Sequence, residues 1–279
     1  GSGFFAAFEP LLFPVEPLPF PATWAGDEEV ENREAEALAA LDRALEAHGP
    51  EVAALILEPL VQGAGGMRMC RPGFVTEAVA RARAAGVLVV FDEVMTGFGR
   101  TGTLFALEQC GVVPDLVCLS KGLTGGALPL AMTVCRDALY REFLGEDFER
   151  AFTHGHSFTA NPLGCAAGLA SLALFEEEDS LASVARIAAR HQAFAERLRA
   201  HPRAARPRVR GSILAFDVAA GARGYEAPVG PWLKAFFLER GLLIRPLGDV
   251  VYLLPPYCTD DAQLDAAYEG ILAALDGLP

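Results

Sequence analysis

Short apolar runs alternate with amphipathic segments over the first half of the chain. The predominantly apolar runs of strand length are residues 52–57, 87–91, 116–119 and 130–134. Residues 34–47 and 73–85 instead repeat apolar side chains at helical spacing. Such alternation is typical of buried parallel strands joined by helical crossovers. The pattern therefore predicts an α/β fold with a mostly parallel central sheet flanked by helices.

The pattern changes near residue 178. Residues 162–177 and 181–200 predict two long helices, the first with Pro162 in its opening turn. They are followed by strand-like and helix-like segments in the order 213–218, 231–240, 242–246 and 250–254, with a closing helix from Asp260. This order predicts a smaller α+β domain. We expect residues 1–178 to belong to a large domain, entered through an extended segment at 1–24, and residues 179–279 to form a small C-terminal domain.

Composition and charge narrow the class of protein. The 279 residues are 52% hydrophobic and 21% charged, which is ordinary for a folded soluble chain. The net charge of −13 argues against general binding to nucleic acid or anionic membrane. No long apolar stretch or signal-peptide pattern is visible, so we expect a cytoplasmic protein. The six cysteines lack zinc-site spacing, and we interpret them as buried thiols in a reducing compartment.

Lysine is scarce in this chain. Of 23 basic residues only Lys121 and Lys234 are lysines. A lysine amine can act as a nucleophile, whereas an arginine stays protonated. Lys121 is therefore a candidate catalytic residue. Lys234 lies in an amphipathic segment, and we interpret it as a lysine that is present by chance.

Two polar motifs follow two of the predicted strands. Asp92-Glu93 precedes the turn Gly97-Phe98-Gly99-Arg100. Lys121 lies 29 residues after Asp92 and precedes a Gly-rich turn. Taken alone, the first motif is an ordinary solvated turn and the second an ordinary helix end. A chance origin of both together, at this spacing, is improbable. The carboxyl ends of strands are also where an open α/β sheet binds its ligands.

The two motifs together resemble the class III, fold type I aminotransferases, which use pyridoxal phosphate. The resemblance implies that residues 1–178 belong to the cofactor-binding domain. It implies that Lys121 forms the Schiff base with the cofactor and carries the proton during catalysis. It also implies that Asp92 pairs with the pyridine nitrogen of the cofactor, so that the ring can accept electrons.

A third motif lies between residues 152 and 163. Its pair His154 and His156 has no third ligand nearby in sequence, so we predict a turn and no metal site. In the family this turn binds the phosphate of the cofactor held by the neighbouring subunit. The resemblance therefore implies that Gly155, His156 and Ser157 bind the cofactor, with Gly155 also near the substrate, and that the protein is a homodimer.

Two further motifs bear on the substrate. Glu58-Pro-Leu-Val-Gln-Gly-Ala-Gly-Gly-Met-Arg-Met69 and Ile244-Arg-Pro-Leu-Gly248 resemble the branch of the family that makes diaminopelargonic acid for biotin. That branch implies transfer of an amino group from S-adenosylmethionine to 8-amino-7-oxononanoate. It implies that Arg245 binds the substrate carboxylate, and Tyr252 is a possible residue of the substrate pocket beside Lys121. Structurally, the glycines need only form a tight loop, and Arg245 is one of many arginines.

Two alternatives stay open at this point. One is another class III aminotransferase acting on an ω-amino acid or amine. The other is an inactive or partner-dependent chain, because the sequence begins late in the family pattern and is expected to be its C-terminal portion. Strands missing from the sheet would leave open edges and bare apolar surface.

Overall fold

The computed structural model describes residues 6–219, 221 and 224–279, in which strands and helices alternate before a second, antiparallel sheet. The strands are β1 (Ala54–Leu57), β2 (Val61–Gln62), β3 (Arg68–Met69), β4 (Leu88–Asp92), β5 (Leu116–Leu119), β6 (Met132–Cys135), β7 (Ala204–Arg210), β8 (Ile213–Val218) and β9 (Val250–Leu253). The α-helices are α1 (Val30–His48), α2 (Pro72–Ala84), α3 (Ala106–Cys110), α4 (Asp137–Glu142), α5 (Pro162–Glu177), α6 (Ser180–Arg199), α7 (Val229–Glu239) and α8 (Asp261–Asp276). Short 3-10 helices span Ala6–Leu11, Gly49–Glu51, Lys121–Thr124 and Phe148–Arg150.

The central sheet has the strand order β1-β4-β5-β6. Strand β4 pairs in parallel with both β1 and β5, as predicted. The apolar run at residues 130–134, however, becomes β6 and pairs antiparallel with β5. A parallel return needs a long crossover, usually a helix, whereas only the 3-10 helix Lys121–Thr124 lies between these two strands. The predicted α/β class is confirmed, and the expectation that this strand is parallel was wrong.

Helix α2 covers the central sheet. Val75, Val79 and Ala82 are fully buried on its inner face, where they share a core cluster with Val89 and Phe91 of β4. Each such aliphatic or aromatic side chain contributes roughly 1.5–3 kcal/mol on burial. The β2–β3 hairpin belongs to the same cluster, so the chain that leaves β1 is fixed against the sheet.

The second sheet has the order β7-β8-β9 and is antiparallel throughout. Helices α6, α7 and α8 cover it, and Leu198, Phe216, Phe237 and Ile271 lie in their shared core. Ile213, at the start of β8, packs instead into the cluster of the central sheet. The two sheets therefore share a core contact, and the division at residues 178/179 stays a prediction.

One predicted strand and one interpretation were wrong. Residues 242–246 form no strand: Leu243 is 90% exposed, and Pro246 has no N–H to donate to a sheet. The cysteines are free, as expected, but Cys165 and Cys258 are exposed because they lie on an outward turn of α5 and in the loop after β9.

Two elements of the chain expose apolar side chains. Met132 and Val134 of β6 are each nearly half exposed, and four leucines of α5 are exposed on different sides of that helix: Leu163, Leu169, Leu172 and Leu174. A helix that exposes apolar side chains all around is typical of one that packs against further protein.

Candidate active site

Three neighbouring parallel strands end at one edge of the central sheet. Glu58 follows β1, Asp92 ends β4, and Ser120-Lys121 follows β5. The register aligns Leu57 with Phe91, which places Glu58 beside Asp92. The edge therefore collects two carboxylates and one amine from residues distant in sequence.

Adjacent carboxylates Asp92 and Glu93 have different surroundings. Asp92 is half-buried, and its Oδ1 accepts a 3.0 Å hydrogen bond from the backbone N–H of Val94. Glu93 is fully buried and accepts hydrogen bonds from the start of α3, and burial raises the pKa of its carboxyl. Glu93 is therefore committed to α3, whereas Asp92 at the strand end is the less buried carboxyl of the two.

Lys121 begins a tight 3-10 turn with a left-handed backbone, at φ 42°. Its side chain is exposed. The turn is fixed on both sides, because the Ser120 hydroxyl donates to the Leu130 carbonyl at 2.7 Å and the Ser171 hydroxyl of α5 donates to the Gly122 carbonyl at 3.2 Å. A non-glycine residue in this region is sterically disfavoured and indicates a constrained site.

Glu58 was not predicted as a site residue, although the structure places it there. Its Oε2 accepts a 2.9 Å hydrogen bond from the backbone N–H of Gly63. Burial raises the pKa of Glu58, the charge of Asp92 adds to the rise, and the Gly63 N–H and Lys121 oppose it. Its position directly after an apolar run was the signal that could have found it.

The loop after β9 contacts the turn that follows Asp92. The Tyr257 hydroxyl donates a 2.6 Å hydrogen bond to the Phe98 carbonyl. The Arg100 guanidinium stacks over the Tyr257 ring at 4.6 Å and donates to the Pro255 carbonyl at 2.6 Å. The loop after β9 is thereby joined to the loop after β4.

The predicted phosphate-binding turn lies before α5. Gly155, His156 and Ser157 are all exposed, and His156 hydrogen-bonds within the turn, to Thr159 and Phe158. Asn161 caps α5 by accepting from Gly164. The exposed position suits a ligand on a neighbouring subunit, and the assigned roles stay predictions.

The predicted substrate residues lie in the second half of the chain. Arg245 is exposed in the loop between α7 and β9. Tyr252 is half-buried in β9, opposite Ala215, and packs against the core of the central sheet. The roles of Arg245 and Tyr252 in substrate binding also stay predictions.

Neither a metal-binding cluster nor a membrane-spanning helix is found among the described residues. No group of three or more His, Cys, Asp or Glu side chains in residues 6–219, 221 and 224–279 could hold a metal ion. Over the same part of the chain, no helix is long and apolar enough to cross a membrane.

Comparison with known families decides the assignment of the chain. The model of the family "Aminotransferase class-III" matches residues 2–275. The chain belongs to the class-III aminotransferases. A class-III relative, the adenosylmethionine-8-amino-7-oxononanoate aminotransferase of Synechococcus elongatus, is 53% identical over 275 residues, which are 99% of this chain and 64% of the relative. The chain therefore spans less than two thirds of that relative's length.

Solved structures of transaminases confirm the fold. An (S)-enantioselective omega-transaminase from Thermomicrobium roseum superposes with a TM-score of 0.86 at 33% identity, over 98% of this chain and 63% of that one. The adenosylmethionine-8-amino-7-oxononanoate aminotransferase of Methanocaldococcus jannaschii superposes with a TM-score of 0.85 at 30% sequence identity. The match covers 98% of this chain and 62% of that one. An amine transaminase from an uncultivated Pseudomonas species, solved in a PLP-bound form, superposes with a TM-score of 0.81 at 28% sequence identity. The match covers 88% of this chain and 57% of that one.

Proposed function

We propose that the protein transfers an amino group from S-adenosylmethionine to 8-amino-7-oxononanoate, giving 7,8-diaminononanoate for biotin synthesis. The observation that carries the proposal is the placement of Asp92 and Lys121 at the ends of adjacent parallel strands. The 53% identity to the Synechococcus elongatus relative supports this substrate pair.

The donor set at the sheet edge fits pyridoxal phosphate. This cofactor supplies an aldehyde that takes up the amino group and a ring that withdraws electrons from the substrate. Asp92 offers a carboxylate held by the Val94 N–H, which suits a protonated ring nitrogen. Lys121 offers an exposed amine on a turn fixed by Ser120 and Ser171, which suits covalent attachment.

The residues then divide the work of proton transfer. The Asp92 carboxylate would keep a proton on the ring nitrogen of pyridoxal phosphate. The Lys121 amine would accept the proton from the substrate Cα and hold it at its nitrogen for return. Gly155, His156 and Ser157 bind the phosphate of the cofactor on a neighbouring subunit, which makes the protein a homodimer.

The substrate contacts rest on charge. The Arg245 guanidinium binds the carboxylate of the keto acid, because its planar fork matches two carboxylate oxygens. Tyr252 lines the same pocket, and its place in β9 gives it a fixed orientation.

Cellular location and assembly follow from the same features. Six free cysteines are consistent with the reducing cytoplasm. The exposed apolar side chains of β6 and α5 support assembly as a homodimer. A monomer with full activity would contradict the shared site.

The other candidate is an amine transaminase with the same Asp92 and Lys121 chemistry. It is favoured by the 0.86 TM-score to the omega-transaminase of Thermomicrobium roseum. The two candidates differ in the amino donor and acceptor that they accept.

Absorbance spectroscopy with added pyridoxal phosphate tests the proposal. We expect a cofactor band that is lost in Lys121→Ala, kept in the control Lys234→Ala, bleached by S-adenosylmethionine and restored by 8-amino-7-oxononanoate. Bleaching only by simple amines would establish the amine transaminase instead. No Lys121-dependent band would mean that the chain is inactive without further polypeptide.

A further inference from the structure

Two non-glycine residues on loops at the proposed active site have left-handed backbones. Lys121 has φ 42° and Phe98 has φ 55°. Non-glycine residues seldom adopt a positive φ unless surrounding contacts determine the backbone conformation. The contacts that hold these two residues therefore bear on where the Lys121 amine lies.

The Phe98 side chain forms a wall against the residue that follows Lys121. A Cβ atom added to Gly122 would lie 2.8 Å from the Phe98 Cβ, so the backbone of Gly122 rests directly on Phe98. Phe98 is only 5% exposed and shares a core cluster with Leu123 of the same turn. A shift of Phe98 would consequently remove one of the contacts that hold the turn carrying Lys121.

Phe98 is held by a tyrosine from the far end of the chain. The Tyr257 hydroxyl donates to the Phe98 carbonyl at 2.6 Å, across 159 residues of sequence. The Tyr257 ring is itself fixed by Arg100 at 4.6 Å and by the edge of the Phe175 ring of α5 at 6.1 Å between ring centroids. Burial raises the pKa of Tyr257, so the hydroxyl stays protonated and able to donate at neutral pH.

We infer that Tyr257 is a positioning residue for Lys121. Its hydroxyl holds the Phe98 carbonyl, Phe98 presses on Gly122, and the left-handed turn at Lys121 is kept in place. The inference rests on the proposed function only in taking Lys121 as the lysine that binds the cofactor. It links the loop after β9 to the reacting amine without placing Tyr257 in contact with the substrate.

Amide hydrogen exchange on the cofactor-loaded protein tests the inference. The N–H groups of Leu123 and Gly125 donate within the Lys121 turn, to Ser120 and Gly122. We expect Tyr257→Phe to speed their exchange about three- to tenfold, since it removes one hydrogen bond and keeps the ring. Unchanged exchange at both amides would overturn the inference.

Tyr268→Phe is the matched control. It also removes a buried tyrosine hydroxyl, one that lies 2.8 Å from His191 Nδ1 in the core of the second sheet. We expect it to leave the two amides within about twofold of their wild-type exchange. Equal acceleration in both variants would reduce the effect of Tyr257 to general stability and overturn the inference.

A second readout separates positioning from structural support. Tyr257→Phe should shift the pH midpoint of the absorbance of the bound cofactor, because that midpoint depends on the geometry at the Lys121 nitrogen. Tyr268→Phe should not shift it. Faster exchange without any shift would show a structural role alone. Neither readout needs an amino donor or acceptor, so both stand even if the proposed substrates are wrong.

Discussion

The Glu93 carboxylate accepts a 2.8 Å hydrogen bond from the backbone N–H of Ala106, at the first residue of α3. A second oxygen accepts from Leu107, also at 2.8 Å. Glu93 is fully buried, whereas the preceding Asp92 is half-buried at the sheet edge. Glu93 therefore anchors a helix, whereas Asp92 remains partly accessible at the sheet edge.

Replacing Glu93 should damage the fold. We expect Glu93→Ala to lower the free energy of unfolding by about 2–4 kcal/mol, because buried N–H groups of α3 lose their acceptor. Denaturant unfolding measures this difference. The exposed Glu77→Ala on α2 is the control and should change stability by less than about 0.5 kcal/mol. Equal effects of both substitutions would contradict the anchoring role.

Replacing Asp92 should instead damage the reaction. Asp92→Asn keeps an oxygen for the Val94 N–H but cannot hold a proton on the ring nitrogen of the cofactor. We expect the rate of amino transfer to fall roughly 10²–10⁴-fold, with unfolding changed by less than about 1 kcal/mol. Stopped-flow absorbance of the cofactor gives the rate. The exposed Asp137→Asn should keep wild-type activity, and a similar rate in Asp92→Asn would remove Asp92 from the mechanism.

Arg208 ties the second sheet to the hairpin after β1. This buried side chain pairs with Asp217 at 2.9 Å and donates to the carbonyls of Met67 and Gly66, each at 2.7 Å. We expect Arg208→Ala to cost about 2–4 kcal/mol, because the Met67 and Gly66 carbonyls lose their donor, whereas Asp217 keeps its ion pair with Arg206. Thermal and denaturant unfolding check this value.

An exposed ion pair provides the control for Arg208. Arg197 pairs with Glu269 at 2.9 Å on the surface, where both side chains are more than half exposed. We expect Arg197→Ala to cost about 0–1 kcal/mol, since water screens the pair. A small effect at Arg208 as well would mean that the contact is dispensable.

Arg245 should act on substrate affinity. We expect Arg245→Ala to raise KM for the keto acid about 10- to 100-fold, which corresponds to the loss of a charged hydrogen bond. Arg245→Lys should recover part of the loss, because it keeps the charge without the planar fork. Steady-state kinetics measures KM, and the control Arg240→Ala should keep the wild-type value. An unchanged KM in Arg245→Ala would exclude the carboxylate contact.

Local signals in the sequence predicted much of the fold. Helix α5 has the predicted bounds because Asn161 and Pro162 fix its start. Strand β5 also has its predicted bounds. Strand β7 was missed because arginines interrupt its apolar pattern, and residues 242–246 were wrongly predicted as a strand because a short apolar run does not specify pairing partners.

The candidate site was predicted where its residues follow strands and missed where it depends on packing. Asp92 and Lys121 were found from their spacing, which the parallel pairing of β4 and β5 converts into proximity. The Tyr257–Phe98 hydrogen bond spans 159 residues, and no local pattern encodes it. Glu58 combines both situations. The sequence shows that it follows a strand, but only the register of β1 and β4 places it beside Asp92.

His191 should make stability depend on pH. It is fully buried, 2.8 Å from the Tyr268 hydroxyl, and burial lowers its pKa from 6.5 to about 4, against an opposing hydrogen bond to the Ser212 backbone. Between these two values the unfolded chain binds a proton that the folded chain does not. The contribution is therefore complete above pH 6.5 and is lost as the pH falls toward 4, by roughly 3 kcal/mol in all.

Urea unfolding at pH 7, 5.5 and 4.5 measures this contribution. Carboxylates also titrate in this range, so the comparison is between wild type and His191→Gln, which removes the titrating group. We expect the variant to be less stable at pH 7 but to lose less stability on acidification than the wild type. The exposed His48→Gln is the matched control and should keep the wild-type slope. Parallel pH profiles for wild type and His191→Gln would show that His191 takes up its proton equally in both states.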